Sequence, residues 1–350
     1  MTADTYKKLA EKLDALPNRY IATESGVEIR LLEKLFTPKE ARIAAEMSSV
    51  KQTAAEIASL AGVQEKEARQ ILKGMVRKEM ILFSRGNKTL VYRLMPFVVG
   101  IYEYSLPRMN EEIATLIEEY IQETQAGITG KGPSVHRVIP VQESIDFEME
   151  VYPYEKASDL IENAKAWGVR DCICRVQKDL IGDPCDHPVE NCLIFAPVEG
   201  YFENSAVDRA ISKDEALQIL REAEEAGLVH TTGNYQDHNA YICNCCTCSC
   251  GILRGVAEFN NSSAIAKADF LVVVDGELCV ACGDCVEHCQ FDALNVDGIV
   301  CEVDSRNCVG CGLCVPSCPE GAMVLVRREV GEVSPPPATL RNWGIERSQN

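Results

Sequence analysis

Residues 279–293 read CVACGDCVEHCQFDA, and residues 308–322 read CVGCGLCVPSCPEGA. Each run sets its cysteines at the same intervals: Cys279, Cys282, Cys285 and Cys289 in the first, Cys308, Cys311, Cys314 and Cys318 in the second, with Pro319 following. Val280 matches Val309, Gly283 matches Gly312, Val286 matches Val315 and Ala293 matches Ala322 at one fixed offset, so the two runs are an internal repeat. Three thiolates on one tight loop can cap three irons of a cubane, while the fourth iron must be reached from elsewhere. Where two such runs occur together, the fourth cysteine of each serves the other cluster. The spacing therefore points to two [4Fe-4S] clusters, one on Cys279, Cys282, Cys285 and Cys318, the other on Cys308, Cys311, Cys314 and Cys289.

This repeat resembles the bacterial-type two-cluster ferredoxins. The resemblance implies a pair of pseudo-twofold β hairpins with short helices. Gln290 stands where that family usually has proline, a change that bears on turn rigidity and removes no ligand. Cys301, within GIVCEVD, alternates with Ile299 and Val303 and reads as a small apolar side chain facing inward from a strand.

Nine further cysteines precede the repeat: Cys172 and Cys174 flanking Ile173, then Cys185, Cys192, and Cys243, Cys245, Cys246, Cys248 and Cys250 in ICNCCTCSCG. Crowded thiolates without a metal repel one another and oxidise readily, so metal binding is the expected use. Nine thiols suffice for two four-thiolate sites with one left over. Were 243–250 extended, Cys243 and Cys245 would face one side and Cys246, Cys248 and Cys250 the other. Residues i and i+2 lie about 6.6 Å apart along a strand, and Cys246 and Cys250 about twice that, too far for one zinc ion. The run must curl round one site or divide between two. Gly182, Asp183 and Pro184 form a turn before Cys185, so Cys172, Cys174, Cys185 and Cys192 are expected to join the later run around at least one further centre, a third [4Fe-4S] cluster or zinc. Arg175 is placed to donate to a cluster sulfur. His187, between Cys185 and Cys192, is the best placed histidine for an alternative ligand, although a packed or surface role is the expectation.

The chain has 350 residues, 18 of them cysteine, and a formal net charge of −18. That charge repels nucleic acid and anionic membranes and favours redox protein partners with a basic docking face. The opening MTADTYKKLAEKL lacks the apolar core of a signal peptide, and no segment approaches the roughly 18 apolar residues of a membrane helix. A cytoplasmic protein without membrane insertion is expected, and in that compartment cysteines bind metal more readily than they form disulfides. Residues 36–95 differ electrostatically, with 11 Lys and Arg against 6 Asp and Glu.

Helical patterns run from Thr37 to Met47, from Thr53 (N-cap, with Glu56 completing a capping box) to Ala61 before Gly62, and from Gln64 to Met80. The last buries Ala68, Ile71, Leu72, Met75 and Val76 and aligns Lys66, Arg69, Lys73 and Arg77 on the other side. A hairpin follows around Arg85 and Lys88, completing a winged helix-turn-helix pattern. The fold class expected is α+β and multidomain. It comprises an N-terminal segment (1–36), a winged helix (37–98), a helix and Gly-rich linker (99–137), a Cys-rich mixed α/β region (138–256), a ferredoxin-type domain (257–330) and a loose tail (331–350). Within 138–256, helices are expected near Ala157 to Trp167 and from Ser212, with Glu215 as its box partner, to Gly227.

Taken together, TESGVEIRLLEKLFTP, PFVVGIYEY, DCICR, ISKDEALQILREAEEAGLVH, CNCCTCSC and the two runs make the chain resemble a family of cytosolic [4Fe-4S]-binding proteins of strict anaerobes. Its commoner form has another cysteine where Thr247 or Ser249 stands. The resemblance implies electron transfer, as a soluble carrier or as a subunit of an anaerobic oxidoreductase. No flavin, nicotinamide or substrate signature is present, so no catalytic residues and no bond-making chemistry are expected. The alternative is an iron-sulfur redox-sensing transcription regulator whose winged helix binds DNA.

Overall fold

The computed structural model describes residues 2–86, 89–125, 132–145, 151–329 and 331–349. The chain divides into two compact units, residues 1–130 with 176–183, and residues 131–175 with 184–350.

In the first unit, α1 (Thr2–Asp14), α2 (Val27–Leu35) and α3 (Pro38–Ala44) lead into β1 (Gln52–Thr53), α4 (Ala54–Ala61), α5 (Glu65–Arg77), β2 (Ile81–Arg85), β3 (Leu90–Leu94) and α6 (Glu111–Thr124). Two reciprocal capping boxes start helices here: Thr37 with Glu40 on α3 and Thr53 with Glu56 on α4. Gly62 ends α4 at φ 62°, a left-handed conformation that suits glycine. On α5 the buried residues are Ala68, Leu72 and Met75, with Ile71 and Val76 only half-buried, while Lys66, Arg69, Lys73 and Arg77 are exposed. The antiparallel pairing of β2 with β3 runs from Ile81 opposite Leu94 to Arg85 opposite Leu90, and β1 adds to the other edge of β3. Lys88, at the expected wing tip, lies outside the described residues, as do residues 126–131 of the expected helix and Gly-rich linker. The helix α1, which looked only polar in sequence, buries Tyr6, Leu9, Ala10 and Leu13 at helical spacing.

The second unit is built on a seven-stranded sheet. Its strands are β4 (His136–Ile139), β5 (Ala166–Asp171), β6 (Glu190–Ala196), β7 (Arg209–Ile211), β8 (Val229–Gly233), β9 (Tyr241–Cys245) and β10 (Ile265–Ala266), in the order β10-β4-β8-β9-β6-β5-β7. All neighbours are antiparallel except β10 with β4. The helix α7 (Ala157–Glu162) is shorter than its sequence pattern: it stops before Trp167, which sits on β5. The helix α9 (Lys213–Glu225) is capped by Ser212 and followed by Gly227 at φ 70°. Ile161, Val169, Leu193, Ala216, Leu220 and Ile242 join these elements in one apolar core. The helix α8 (Ile173–Leu180) follows β5, and α10 (Gly251–Ala257) follows β9.

The carboxyl-terminal part pairs β11 (Phe270–Val274) with β14 (Met323–Arg327), and β12 (Leu294–Asn295) with β13 (Glu302–Val303), around the short α11 (Asp284–Glu287). Residues 138–256, apart from 176–183, and residues 257–330, separate in the sequence reading, fall within this second unit. The expected loose tail is instead anchored. Thr339 caps α12 (Leu340–Ser348), Trp343 is buried with its Nε1 donating to the Ser134 carbonyl at 3.0 Å, and Arg347 donates to the Pro133 carbonyl at 2.7 Å. Turn-forming residues and a weak apolar pattern hid one large aromatic anchor. Trp343→Ala is expected to destabilise the docked tail by about 3 kcal/mol and to open residues 331–349 to limited proteolysis.

Candidate metal centres

The strand pairing decides which thiols meet at the carboxyl-terminal repeat. β14 leaves the second run just after Cys318 and pairs with β11, which enters the first run, setting Val274 opposite Met323. β12 leaves the first run just after Cys289 and pairs with β13, which enters the second, setting Leu294 opposite Val303. Each fourth cysteine is thus carried across to the other run. Cys279, Cys282, Cys285 and Cys318 line one cavity, and Cys308, Cys311, Cys314 and Cys289 line another.

The repeat extends to the backbone. Cys279 N–H donates to the Asp275 carbonyl and Cys308 N–H to that of Asp304, each at 2.9 Å. Ala293 N–H points at Cys289 Sγ at 3.4 Å, and Ala322 N–H at Cys318 Sγ at 3.3 Å. Gly310 lies at φ 76° and a Cβ there would come within 2.2 Å of the Phe270 carbonyl oxygen, so this loop admits only glycine. Burial pushes the Cys285 and Cys311 thiols up to about 12. Such thiols stay protonated in an apolar cavity unless a cation holds the thiolate, which fits a metal-binding role.

Cys301 is buried as expected, but not for the expected reason. Ile299 is 89% exposed, so no shared inward face exists, and the strand is only Glu302–Val303. Cys301 lines the first cavity, its Sγ 3.6 Å from Cys285 Sγ and its N–H 3.4 Å from Cys279 Sγ.

The other nine thiols separate into two groups. The first is a closed ring of contacts: Cys172 touches Cys174 and Cys192, Cys192 touches Cys243, Cys243 touches Cys245, Cys245 touches Cys250, and Cys250 returns to Cys174. Adjacent strands create it. Cys192 lies on β6, and continuing the register of Leu193 opposite Ile242 brings it beside Cys243 on β9. Cys172 and Cys174 lie at the junction of β5 with α8. Hydrogen bonds from Cys174 and Cys192 hold the Cys172 thiol well below its ordinary range, while Cys174, Cys192 and Cys243, as donors, are pushed up. Cys245 is also lowered, to about 7, by hydrogen bonds from Cys243 and Cys250, and metal binding at the ring would displace the protons that the other thiols keep.

The second group is Cys185, Cys246 and Cys248 with His187, whose ligand atoms all lie within 4.8 Å of one another. Alternation along 243–250 separates Cys243 and Cys245 from Cys246 and Cys248 as expected, but Cys250 crosses over. The chain turns after β9, Cys250 N–H donates to the Cys246 carbonyl at 3.0 Å, and Cys250 returns to the ring as the N-cap of α10. The sequence required the run to curl or divide, and the turn at 247–249 does both.

Arg175 is buried between the two groups. Its guanidinium donates to the Pro188 carbonyl at 2.8 Å, Asn191 Oδ1 at 3.0 Å, the Asn244 carbonyl at 3.0 Å and Cys246 Sγ at 3.5 Å. Burial opposes its charge, but the Cys172 and Cys246 thiols outweigh that and raise its pKa. Ser249 and Thr247, the positions where the resembling family commonly has another cysteine, take other roles. Ser249 Oγ lies 3.4 Å from Cys185 Sγ, and Thr247 N–H donates to Gln290 Oε1 at 2.8 Å.

Residues 278–322 match the 4Fe-4S dicluster domain family. That stretch contains all eight cysteines of the two cavities and Cys301. The carboxyl-terminal part is therefore a ferredoxin-type, [4Fe-4S]-binding domain. No curated protein matches the chain. Among the described residues, no helix is long and apolar enough to cross a membrane.

Gln290, the departure from the ferredoxin pattern, fastens this domain to the cysteine loop. Besides accepting from Thr247, its amide donates to the Gly227 carbonyl. Proline could make neither bond. Gln290→Ala is expected to cost about 1–3 kcal/mol, because the Thr247 N–H loses its partner, and anaerobic denaturant titration measures the loss.

Proposed function

We propose that the chain is an electron-transfer protein carrying two [4Fe-4S] clusters, one held by Cys279, Cys282, Cys285 and Cys318, the other by Cys308, Cys311, Cys314 and Cys289, with at least one further metal centre among the remaining nine cysteines. The observation that carries this reading is the sorting of the eight repeat thiols into two cavities, four and four, with the fourth of each drawn from the other run and Cys301 as a further thiol in the first. A bound cubane supplies one-electron chemistry with little rearrangement. The chain's own part is to tune and protect it. N–H groups of Ala293, Ala322 and Cys301 face thiolate sulfurs and stabilise the more negative reduced state, raising the potential. The net charge of −18 acts in the opposite sense. Electrons enter and leave through protein partners with basic docking faces, the chain serving as a soluble carrier or as the electron-transfer subunit of an anaerobic oxidoreductase, in the cytoplasm. It performs no bond-making step itself.

A second reading, a redox-sensing regulator with a DNA-binding winged helix, is favoured by the exposed row of Lys66, Arg69, Lys73 and Arg77 on α5 and by exposed Arg85 at the hairpin end. Arg69 is already paired with Glu65 at 2.5 Å, which reduces the row's free charge. The carrier reading expects about eight irons and eight acid-labile sulfides from the dicluster domain, measured on anaerobically purified protein. It also expects weak DNA binding without sequence preference in gel shifts at moderate salt. Tight, sequence-selective binding would reverse the order of the two readings.

A further inference from the structure

The nine upstream thiols do not form one site, and their two groups differ in geometry. Cys185 Sγ lies 3.9 Å from Cys246 Sγ, and Cys248 Sγ lies 3.6 Å from His187 Nδ1. All four ligand atoms fall within 4.8 Å of one another. Tetrahedral zinc with bonds of about 2.3 Å to sulfur and about 2.0 Å to nitrogen sets two sulfurs about 3.8 Å apart and a sulfur and a nitrogen about 3.5 Å apart, close to the 3.9 Å and 3.6 Å of these two edges. A cubane places its thiolates on the outer corners of an iron-sulfide cube, so it demands a wider spread.

We propose that Cys185, His187, Cys246 and Cys248 form a closed tetrahedral site for a single zinc ion, separate from the ring of six thiols. The proposal deepens the reading above of a further metal centre and rests on it. Three thiolates and a neutral imidazole around a divalent ion leave one negative charge. The buried guanidinium of Arg175, 3.5 Å from Cys246 Sγ, balances it. A four-ligand Cys₃His set leaves no open position, which marks a structural rather than a catalytic zinc. The ion joins two pieces of chain, the loop bearing Cys185 and His187 and the turn bearing Cys246 and Cys248. That turn is the one whose Thr247 N–H is held by Gln290 of the dicluster domain. The zinc thus fixes the cysteine loop on one side while Gln290 fixes it on the other. Ser249 completes the surroundings, its Oγ 3.4 Å from Cys185 Sγ.

The test is metal analysis of the full chain, purified anaerobically from medium supplemented with zinc and iron, alongside sulfide determination and cobalt(II) substitution. Wild type is expected to hold one zinc per chain. Cobalt(II) in its place is expected to give the intense visible bands of a tetrahedral site with sulfur-to-metal charge transfer. Cys248→Ser, at an exposed position, is expected to lose that zinc while the dicluster iron and sulfide stay unchanged. His187→Cys is expected to keep the zinc and strengthen the charge-transfer band, which separates ligand exchange from misfolding. Absence of zinc from wild type with full iron content would overturn the site, as would zinc retained in Cys248→Ser. An additional iron without matching sulfide, lost in Cys248→Ser, would overturn the assignment to zinc. Loss of the dicluster iron from wild type would instead count against the electron-transfer reading, independently of the zinc result.

Discussion

The structure of the carboxyl-terminal domain depends on one constraint: a cysteine loop can present three thiolates to a cubic cluster, and the fourth has to come from another part of the chain. Here antiparallel pairing brings the fourth thiol of each run beside the first three of the other. The strand that leaves Cys318 lies against the strand that enters Cys279, and the strand that leaves Cys289 lies against the one that enters Cys308. Neither run can fill its cavity without the other, so both halves must fold together. Gly310 shows how tightly that packing is drawn, since its backbone passes too near the Phe270 carbonyl for any side chain.

The same domain is fastened to the sheet beside it by a set of polar contacts. Val141 N–H donates to the Cys311 carbonyl at 2.9 Å and Ser144 Oγ to the Gly312 carbonyl at 2.7 Å. Arg137, buried on β4, pairs with Asp269 at 3.2 Å and lies over the Tyr154 ring. With Gln290, these bonds hold the thiol-lined cavities of the domain against β4, the segment that follows it and the turn between Cys246 and Cys248. A buried pair such as Arg137 with Asp269 contributes more to fixing one arrangement than to net stability.

What could be read from the sequence was what is local. The eight repeat cysteines follow a fixed spacing within two short loops, and the caps at Thr53 and Ser212 depend on neighbours three residues away. The grouping of the other nine was not local. It depends on β9 lying beside β6, on β6 lying beside β5, and on a turn that sends Cys250 back toward Cys174. His187 could not be distinguished from a surface histidine until the loop carrying it was placed against Cys248. The α1 helix was missed because its apolar residues, spaced for one buried stripe, are diluted by lysines and acidic residues on the rest of its surface.

The central claim is that the two runs exchange their fourth ligands. Electron paramagnetic resonance of the reduced Cys318→Ser variant, set beside that of Cys314→Ser, tests it most directly. Under the exchange, Cys318→Ser perturbs the same cluster signal as Cys285→Ser and leaves the signal sensitive to Cys314→Ser unchanged. If Cys318→Ser and Cys314→Ser alter one and the same signal, each run serves its own cluster and the account is wrong.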